Sequence, residues 1–361
     1  MKMENVAVDL GYGYVKAISS NGNTVVFPSV IGDGFKELEL ANTYTGSNTE
    51  EGLYNICVEI KGKRYFVGEL AEKESSTKTR VYEKERFNNE YAKILINVAI
   101  QLVSESDFVN VFTGLPLDFY SSQSKNFQNS LIGIHHAIDW KSGPISYERK
   151  INVENAFIFP QGASALYVAL INRQGNFNYP EIMNAGDNIA LIDVGFRTTD
   201  YVVVEVKENG AFPPISKLSG TVGEGINTLY NGVKQVIKNI TGGSEVSESQ
   251  IEKAIKRQYF TYKGEKRELH DSIKGIKENI AASITDEIKT TWTNEFDLFA
   301  GAFLAGGGSI LLDTFIQPSF DNRLILMSES QLSNVVGYMR LGKVALNSQE
   351  QYNQEKIKEA K

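Results

Sequence analysis

The chain has 361 residues, of which 42% are hydrophobic and 22% charged, a balance typical of globular proteins and unlike that of disordered chains. This length exceeds that of one ordinary core and predicts two domains or one elaborated two-lobed domain. A net charge of -7 argues against an extended basic surface, so we expect no direct binding to nucleic acid.

The cysteine content and the apolar segments bear on the cellular compartment. Cys57 is the single cysteine, which excludes an internal disulfide and a thiolate metal cluster and suits a reducing cytoplasm. The N-terminal residues lack the apolar run of a signal peptide, and the apolar segment 91–103 is too short and too often interrupted to span a bilayer. We therefore expect a cytoplasmic protein without a membrane span.

The first half of the chain predicts a strand meander, an insertion and then alternating strands and helices. Asn21-Gly22 is a strong hairpin signal within the meander. Residues 32–87 are rich in Gly, Asn, Glu and Lys and predict an inserted subdomain with a hairpin at Lys61-Gly62-Lys63. We place strands at 6–10, 14–19, 24–30, 109–113 and 145–159, and helices at 89–104, at 118–131 with Asp118 as the cap, and at 161–171.

The second half of the chain repeats the opening pattern. We place strands at 189–194, 200–206, 215–220 and 296–304, and helices at 223–239 and from Ser309 onward. A polar, helix-rich stretch at 242–295 with a hairpin at Lys263-Gly264 predicts a second insertion. Two copies of one meander, each followed by helices, predict two similar lobes with a cleft between them.

Each copy of the meander contains a strand that ends in aspartate and is followed by a glycine turn. The first is Asp9-Leu10-Gly11-Tyr12-Gly13-Tyr14-Val15-Lys16. Two glycines let backbone amides approach an anion closely, Lys16 adds a positive charge for phosphate, and Asp9 is placed to hold Mg²⁺. Taken alone, such a motif is more often a structural hairpin.

The second copy, Asp193-Val194-Gly195-Phe196-Arg197-Thr198-Thr199-Asp200, repeats the aspartate and the glycine and adds hydroxyl groups for phosphate contacts. Two such hairpins would clamp a phosphate chain from both sides with a metal ion between them. A third motif, Gly306-Gly307-Gly308-Ser309, joins a strand to a helix. Its glycines would let a base or ribose lie against the backbone, or would simply permit close packing.

The order and spacing of these motifs resemble those of the actin-like ATPases over nearly the whole chain. Residues 9–16 match the first phosphate motif of that family, 193–198 the second, and 304–309 its adenosine motif. Phe159-Pro160-Gln161-Gly162-Ala163 and the segment 337–342 lie where the family has its two connecting helices. The amino-acid sequences of these motifs are most similar to those of plasmid-segregation actins of the ParM/StbA type and their archaeal relatives.

This resemblance implies an α/β, actin-like (ribonuclease H-like) fold. Two similar lobes are expected, with a nucleotide cleft between them and an inserted subdomain in each. Lobe I is expected over 1–160, with its insertion at 32–87. Lobe II is expected over 161–361, with its insertion at 242–295 and with 331–361 packing back on lobe I.

The resemblance also implies the ligands and the site residues. ATP, with GTP left open, and Mg²⁺ are the expected ligands, with Asp9 and Asp193 positioning the metal through water and Gln161 orienting the attacking water. Nucleotide contacts are expected from Gly11, Tyr12, Gly13, Lys16, Gly195, Arg197, Thr198, Glu224, Gly225, Gly306, Gly307, Gly308 and Ser309. For Glu224, a favourable charge in the first helical turn explains the residue almost as well.

The implied function is a cytomotive filament that assembles with ATP and weakens after hydrolysis. In plasmid segregation, such a filament moves DNA through a DNA-binding adaptor of the ParR type. Two alternatives stay open. A sugar or acetate kinase of the same fold would require an acceptor pocket and a further general-base carboxylate, and a membrane-tethered scaffold would require an amphipathic terminal anchor that 349–361 does not provide.

Overall fold

The computed structural model describes residues 3–34, 56–80, 89–139, 147–328 and 330–359. The chain divides into two compact units, with Met1–Val168 and Asn334–Lys361 in unit 1 and Ala169–Ser333 in unit 2. It leaves unit 1 inside helix α4 (Ala163–Leu170) and returns at the start of helix α9 (Ser333–Glu359). The predicted insertion at 32–87 lies partly outside the described residues.

Unit 1 is built on a mixed sheet, in which ten strands fall within the described residues. In sheet order these are β3 (Thr24–Pro28), β2 (Tyr14–Ser19), β1 (Glu4–Leu10), β8 (Phe108–Leu115), β10 (Tyr147–Pro160), β9 (Gly133–Asp139), β5 (Ile56–Ile60), β6 (Lys63–Val67), β4 (Val30–Asp33) and β7 (Thr79–Arg80). β1, β8 and β10 run parallel, and β1 to β3 form the predicted antiparallel meander. The predicted strand 24–30 is broken at Ser29, after which β4 pairs with β6 and β7.

Helices α1 (Glu69–Glu74), α2 (Glu90–Val103) and α3 (Leu117–Leu131) also belong to unit 1. α2 confirms the predicted helix at 89–104, and its cap is Asn89, whose side chain accepts a hydrogen bond from Tyr91 N. Asp118 is not the cap of α3, so that prediction was wrong. The carbonyl of Pro116 accepts the first helical bonds, from Phe119 N and Tyr120 N, and the helix therefore begins before Asp118.

Helix α9 approaches the sheet of unit 1 closely through small residues. A Cβ atom at Gly342 would lie 2.2 Å from the ring of Phe112, and one at Gly337 would lie 2.2 Å from the carbonyl oxygen of Ser164. The ring of Tyr338 in turn occupies the space beside Gly114. Glycine at these positions therefore sets how tightly α9 packs against β8 and α4.

Unit 2 repeats the central part of this topology. Its sheet order is β13 (Gly220–Val222), β12 (Thr199–Glu205), β11 (Asn188–Val194), β16 (Gly301–Ala305) and β17 (Leu324–Leu326). The first three strands are antiparallel and the last three parallel, as in the series β3, β2, β1, β8 and β10. The predicted internal repeat is confirmed.

Four helices within the described residues of unit 2 pack around an aromatic core. They are α5 (Ile226–Thr241), α6 (Glu248–Arg257), α7 (His270–Trp292) and α8 (Ser309–Ile316). Trp292 is fully buried, and its indole nitrogen donates to Leu218 O at 2.8 Å. The predicted hairpin at Lys263-Gly264 is confirmed by β14 (Tyr259–Tyr262) and β15 (Glu265–Glu268). Across the described ranges, no helix combines the length and the hydropathy that crossing a bilayer requires.

Two predicted strands of unit 2 are displaced. The segment 215–220 contains a 3₁₀ turn at Ser216–Leu218, and the strand begins only at Gly220. Pro213 and Pro214 precede it and cannot donate to a strand ladder, while Ser219 Oγ accepts the bond from Val203 N. The segment 296–304 begins as a 3₁₀ turn at Glu295–Leu298 because Phe296 and Phe299 pack against Trp292, and the strand starts at Gly301.

Candidate functional site

The first glycine hairpin joins β1 to β2 in unit 1. Asp9 and Lys16 lie directly opposite each other in the strand register, on either side of the turn at 11–13. A Cβ atom at Gly11 would lie 2.6 Å from Tyr14 O, which is closer than side chains tolerate. The tightness of this turn therefore requires glycine, as the motif predicts.

Asp9 is the centre of the polar contacts at this hairpin. It is 3% exposed, its Oδ2 accepts a bond from Lys16 Nζ at 3.1 Å, and its Oδ1 lies 3.4 Å from Gln161 Nε2. Gln161 directly follows β10, and its backbone N–H donates to Leu115 O at the end of β8. The ends of the parallel strands β1, β8 and β10 thus bring Asp9 and Gln161 together, and Lys16 lies opposite Asp9 on the antiparallel strand β2. Helix α4 begins only at Ala163.

The second glycine hairpin, between β11 and β12 in unit 2, has the same backbone form. Gly195 N donates to Thr198 O at 2.9 Å, and a Cβ atom at Gly195 would lie 2.7 Å from that oxygen. Asp193 lies directly opposite Asp200 in the register. Side chains of such a pair share one face of the sheet, so unit 2 presents two carboxylates where unit 1 presents a carboxylate and an amine.

The start of helix α5 packs directly on the turn of the second hairpin. A Cβ atom at Gly225 would lie within 2.9 Å of the backbone at Gly195, Phe196 and Arg197. Asn227 N donates to Phe196 O at 2.6 Å, which fixes the helix start against the turn. Glu224 accepts a bond from Thr228 Oγ1 at 2.6 Å, as a residue that stabilises the first helical turn does.

The glycine motif after β16 lies against the same hairpin. Gly306 has φ +88°, and a Cβ atom there would lie 2.3 Å from both Asp193 Oδ1 and Val194 O. Gly308 N donates to Val194 O at 2.9 Å. Ser309 is fully buried and its hydroxyl donates to Gly306 O, so it stabilises this turn, whereas Gly307 is exposed.

The structure therefore groups the predicted residues by unit. Unit 1 brings together the residues of the first hairpin and Gln161, and unit 2 brings together the second hairpin, the start of α5 and the glycine motif after β16. Sequence reasoning assigned no role to Asp200 or Ser29, and it interpreted the charged run 72–86, which contains Arg80, as a solvated face or an inter-subunit patch. All three residues contact or line a hairpin. Asp200 carried a usable signal, because it occupies the repeat position of Lys16.

Each unit ends a strand in a buried carboxylate, Asp9 in unit 1 and Asp193 in unit 2, and the described residues contain no cluster of three or more metal-ligating side chains. Taken separately, a single carboxylate of this kind suits a hard cation such as Mg²⁺, which keeps several water ligands and takes few protein carboxylates, better than Zn²⁺ or Ca²⁺. The close approach of Gly306 to Asp193 leaves backbone, without a side chain, beside this carboxylate.

Comparisons with known proteins agree with this arrangement. The model of the N-terminal domain of actin-like proteins matches residues 7–163, and the C-terminal model of MreB-like archaeal actin homologues matches 191–317. An archaeal actin homologue from Thermoplasma volcanium is 26% identical over 351 residues, or 92% of this chain and 97% of its own.

Solved structures give the same result. A subunit of a 15-stranded ParM filament from Clostridium botulinum is 25% identical, with a TM-score of 0.83 over 95% of this chain and 99% of its own. An archaeal actin homologue in complex with ADP has 20% identity and a TM-score of 0.76 over 94% of this chain and 99% of its own.

The repeated strand order and the two hairpins define an actin-like fold. With the two family models on consecutive parts of the chain, the protein belongs to the actin-like superfamily and has ParM-type proteins and archaeal actin homologues among its relatives.

Proposed function

We propose that this protein is a nucleotide-dependent, polymerising actin-like ATPase of the cytoplasm, whose filaments segregate plasmid DNA through a DNA-binding adaptor of the ParR type. One observation carries the proposal: both units contain a strand-end aspartate beside a tight glycine turn, and in unit 1 that aspartate contacts Gln161. The ADP complex of an archaeal actin homologue and the ParM filament support the nucleotide and the polymer respectively. The net charge of -7 favours an adaptor over direct DNA binding.

In this proposal the two hairpins bind the phosphates of ATP. The turn at 11–13 and Lys16 contribute amides and a positive charge from unit 1. Gly195, Arg197 and Thr198 contribute from unit 2, and Gly225 and the glycines 306–308 leave room for the nucleoside. Asp9 and Asp193 would hold Mg²⁺ through water, and the ion would neutralise charge on the phosphate oxygens.

Gln161 is the proposed residue for positioning the attacking water. Its amide is a poor proton acceptor, so it orients water without acting as a strong base. The backbone bond to Leu115 fixes the position of residue 161 at the strand ends, and its side-chain amide points toward Asp9. Slow hydrolysis is the expected consequence, which suits a filament that must assemble before its subunits turn over.

The test is right-angle light scattering with electron microscopy in ATP, GTP, ADP and no nucleotide. Filaments are expected with triphosphate and Mg²⁺. They are expected to be absent in Asp193→Ala and retained in Asp286→Ala, which changes an exposed aspartate of the same unit. A protein that binds ATP but stays monomeric at all concentrations would contradict the proposal and favour a kinase or a scaffold.

A further inference from the structure

A buried arginine reaches the first hairpin from a distant part of the chain. Arg80 Nη1 donates to Gly13 O at 2.7 Å, across 67 positions of sequence. Its Nη2 donates to Glu72 Oε1 at 2.6 Å, on helix α1. The side chain of Arg80 is only 8% exposed, so the guanidinium requires polar contacts such as these to remain there.

A second side chain contacts the same turn. Ser29 is buried, its Oγ donates to Gly11 O at 2.6 Å, and its backbone N–H donates to Gly13 O at 2.8 Å. A trans peptide directs its N–H opposite its C=O. Donors on the carbonyls of Gly11 and Gly13 therefore fix the direction in which the amides of Tyr12 and Tyr14 point.

We propose that Arg80 is a positioning residue for phosphate binding, acting through the Gly13 carbonyl. The inference rests on the proposed nucleotide binding. A guanidinium makes two bonds in a fixed planar fork, and here one bond holds the hairpin while the other anchors the fork on α1. A lysine keeps the positive charge but, as a single ammonium group on a flexible stem, does not reproduce both bonds in this geometry.

Three variants of the full chain test this role: Arg80→Lys, Glu72→Gln and Arg64→Lys. Arg64 is the matched control, because it is a largely buried arginine of the same region whose ion pair joins it to Glu59, 3.5 Å away. Dissociation constants are measured for ATP with Mg²⁺, and for adenosine by competition against a fluorescent ATP analogue. Melting temperatures are measured alongside, so that a loss of folding is seen separately.

Arg80→Lys is expected to raise the Kd for ATP about tenfold and Glu72→Gln about threefold, with Arg64→Lys within about twofold of wild type. The Kd for adenosine is expected to stay within about twofold in all three, since adenosine carries no phosphate. A wild type that binds no ATP overturns the proposed function and this inference together.

Wild-type binding with an unchanged ATP affinity in Arg80→Lys overturns the role of Arg80 alone. Equal losses for ATP and adenosine in that variant also overturn it, because they indicate general damage to the site. If Arg80→Lys does not melt cooperatively, Glu72→Gln decides by the same two criteria.

Discussion

The two glycine hairpins have the same backbone form but carry different charges at the strand ends. In unit 1 the strand-end acid, Asp9, faces Lys16, and in unit 2 the strand-end acid, Asp193, faces Asp200. The group beside each acid also differs. Asp9 is contacted by the side-chain amide of Gln161, whereas Asp193 lies beside the backbone of Gly306. The two copies thus keep the same tight turn, while the charges at the strand ends differ: an acid lies opposite a lysine in unit 1, and two acids lie opposite each other in unit 2.

The largest expected effect is a loss of stability when a side chain is added at Gly306, beside Asp193 in unit 2. Gly306→Ala would put a Cβ atom at φ +88°, 2.3 Å from Asp193 Oδ1 and Val194 O. We expect a loss of about 3–5 kcal/mol in the free energy of unfolding, from backbone strain and overpacking together. Urea denaturation followed by tryptophan fluorescence measures it, with the buried Trp292 in the same unit.

Gly307→Ala is the matched control, because the nearest atom to its Cβ would be Gln331 Cγ at 3.7 Å. It is expected to cost less than about 1 kcal/mol. Similar losses in both variants would show that Asp193 and its hairpin do not require this close approach.

The second prediction concerns Gln161, whose side-chain amide contacts Asp9 in unit 1. Gln161→Ala is expected to lower the rate of ATP hydrolysis about 100-fold, because the water loses its orienting group. The Kd for ATP is expected to change less than about threefold, since the hydrogen bond from Gln161 to Asp9 is long, at 3.4 Å, and therefore weak. Single-turnover hydrolysis and equilibrium binding measure the two quantities.

The exposed Gln174 supplies the control variant Gln174→Ala, which should hydrolyse ATP at the wild-type rate. If Gln161→Ala weakens ATP binding as much as it slows hydrolysis, then Gln161 contributes to binding ATP and has no separate role in orienting water.

The third prediction concerns removal of the charged side chain that lies opposite each strand-end acid, Asp200 opposite Asp193 and Lys16 opposite Asp9. Asp200→Asn is expected to raise the Kd for ATP about tenfold in Mg²⁺ and to leave it nearly unchanged in EDTA, because the charge of Asp200 would act on the cation, while an amide can still accept the bond from Thr221 Oγ1. Lys16→Met is expected to weaken ATP binding in both conditions, since the lysine charge contacts Asp9 and, in the proposed function, would act directly on phosphate. Isothermal titration with and without Mg²⁺ distinguishes the two, and equal losses for Asp200→Asn in both buffers would contradict the asymmetry.

Sequence reasoning reached the hairpins because the signals there are local. A strand that ends in aspartate and turns on glycine fixes both the backbone and the register within eight residues, and two copies gave the internal repeat. The strand at 215–220 was misplaced because a 3₁₀ turn occupies Ser216–Leu218, and the hydroxyl of Ser219, in place of a backbone carbonyl, accepts the bond from Val203 N. Arg80 was out of reach because its partner, Gly13, is 67 positions away and only the fold brings them together.

The smallest expected effect is a pH dependence of the stability of unit 1, which contains the first hairpin. Burial lowers the pKa of His135 below its ordinary value, and one ring nitrogen contacts Leu131 O at 2.7 Å. Below about pH 6.5 the unfolded chain binds a proton that the folded chain resists, so stability is full above that pH and falls as the pH drops toward the folded pKa. His135 belongs to unit 1. We expect His135→Gln to reduce the loss of stability between pH 7.5 and 5.5 by less than about 1 kcal/mol, measured by urea denaturation at each pH. An unchanged pH slope in this variant would contradict the assignment of this loss to His135.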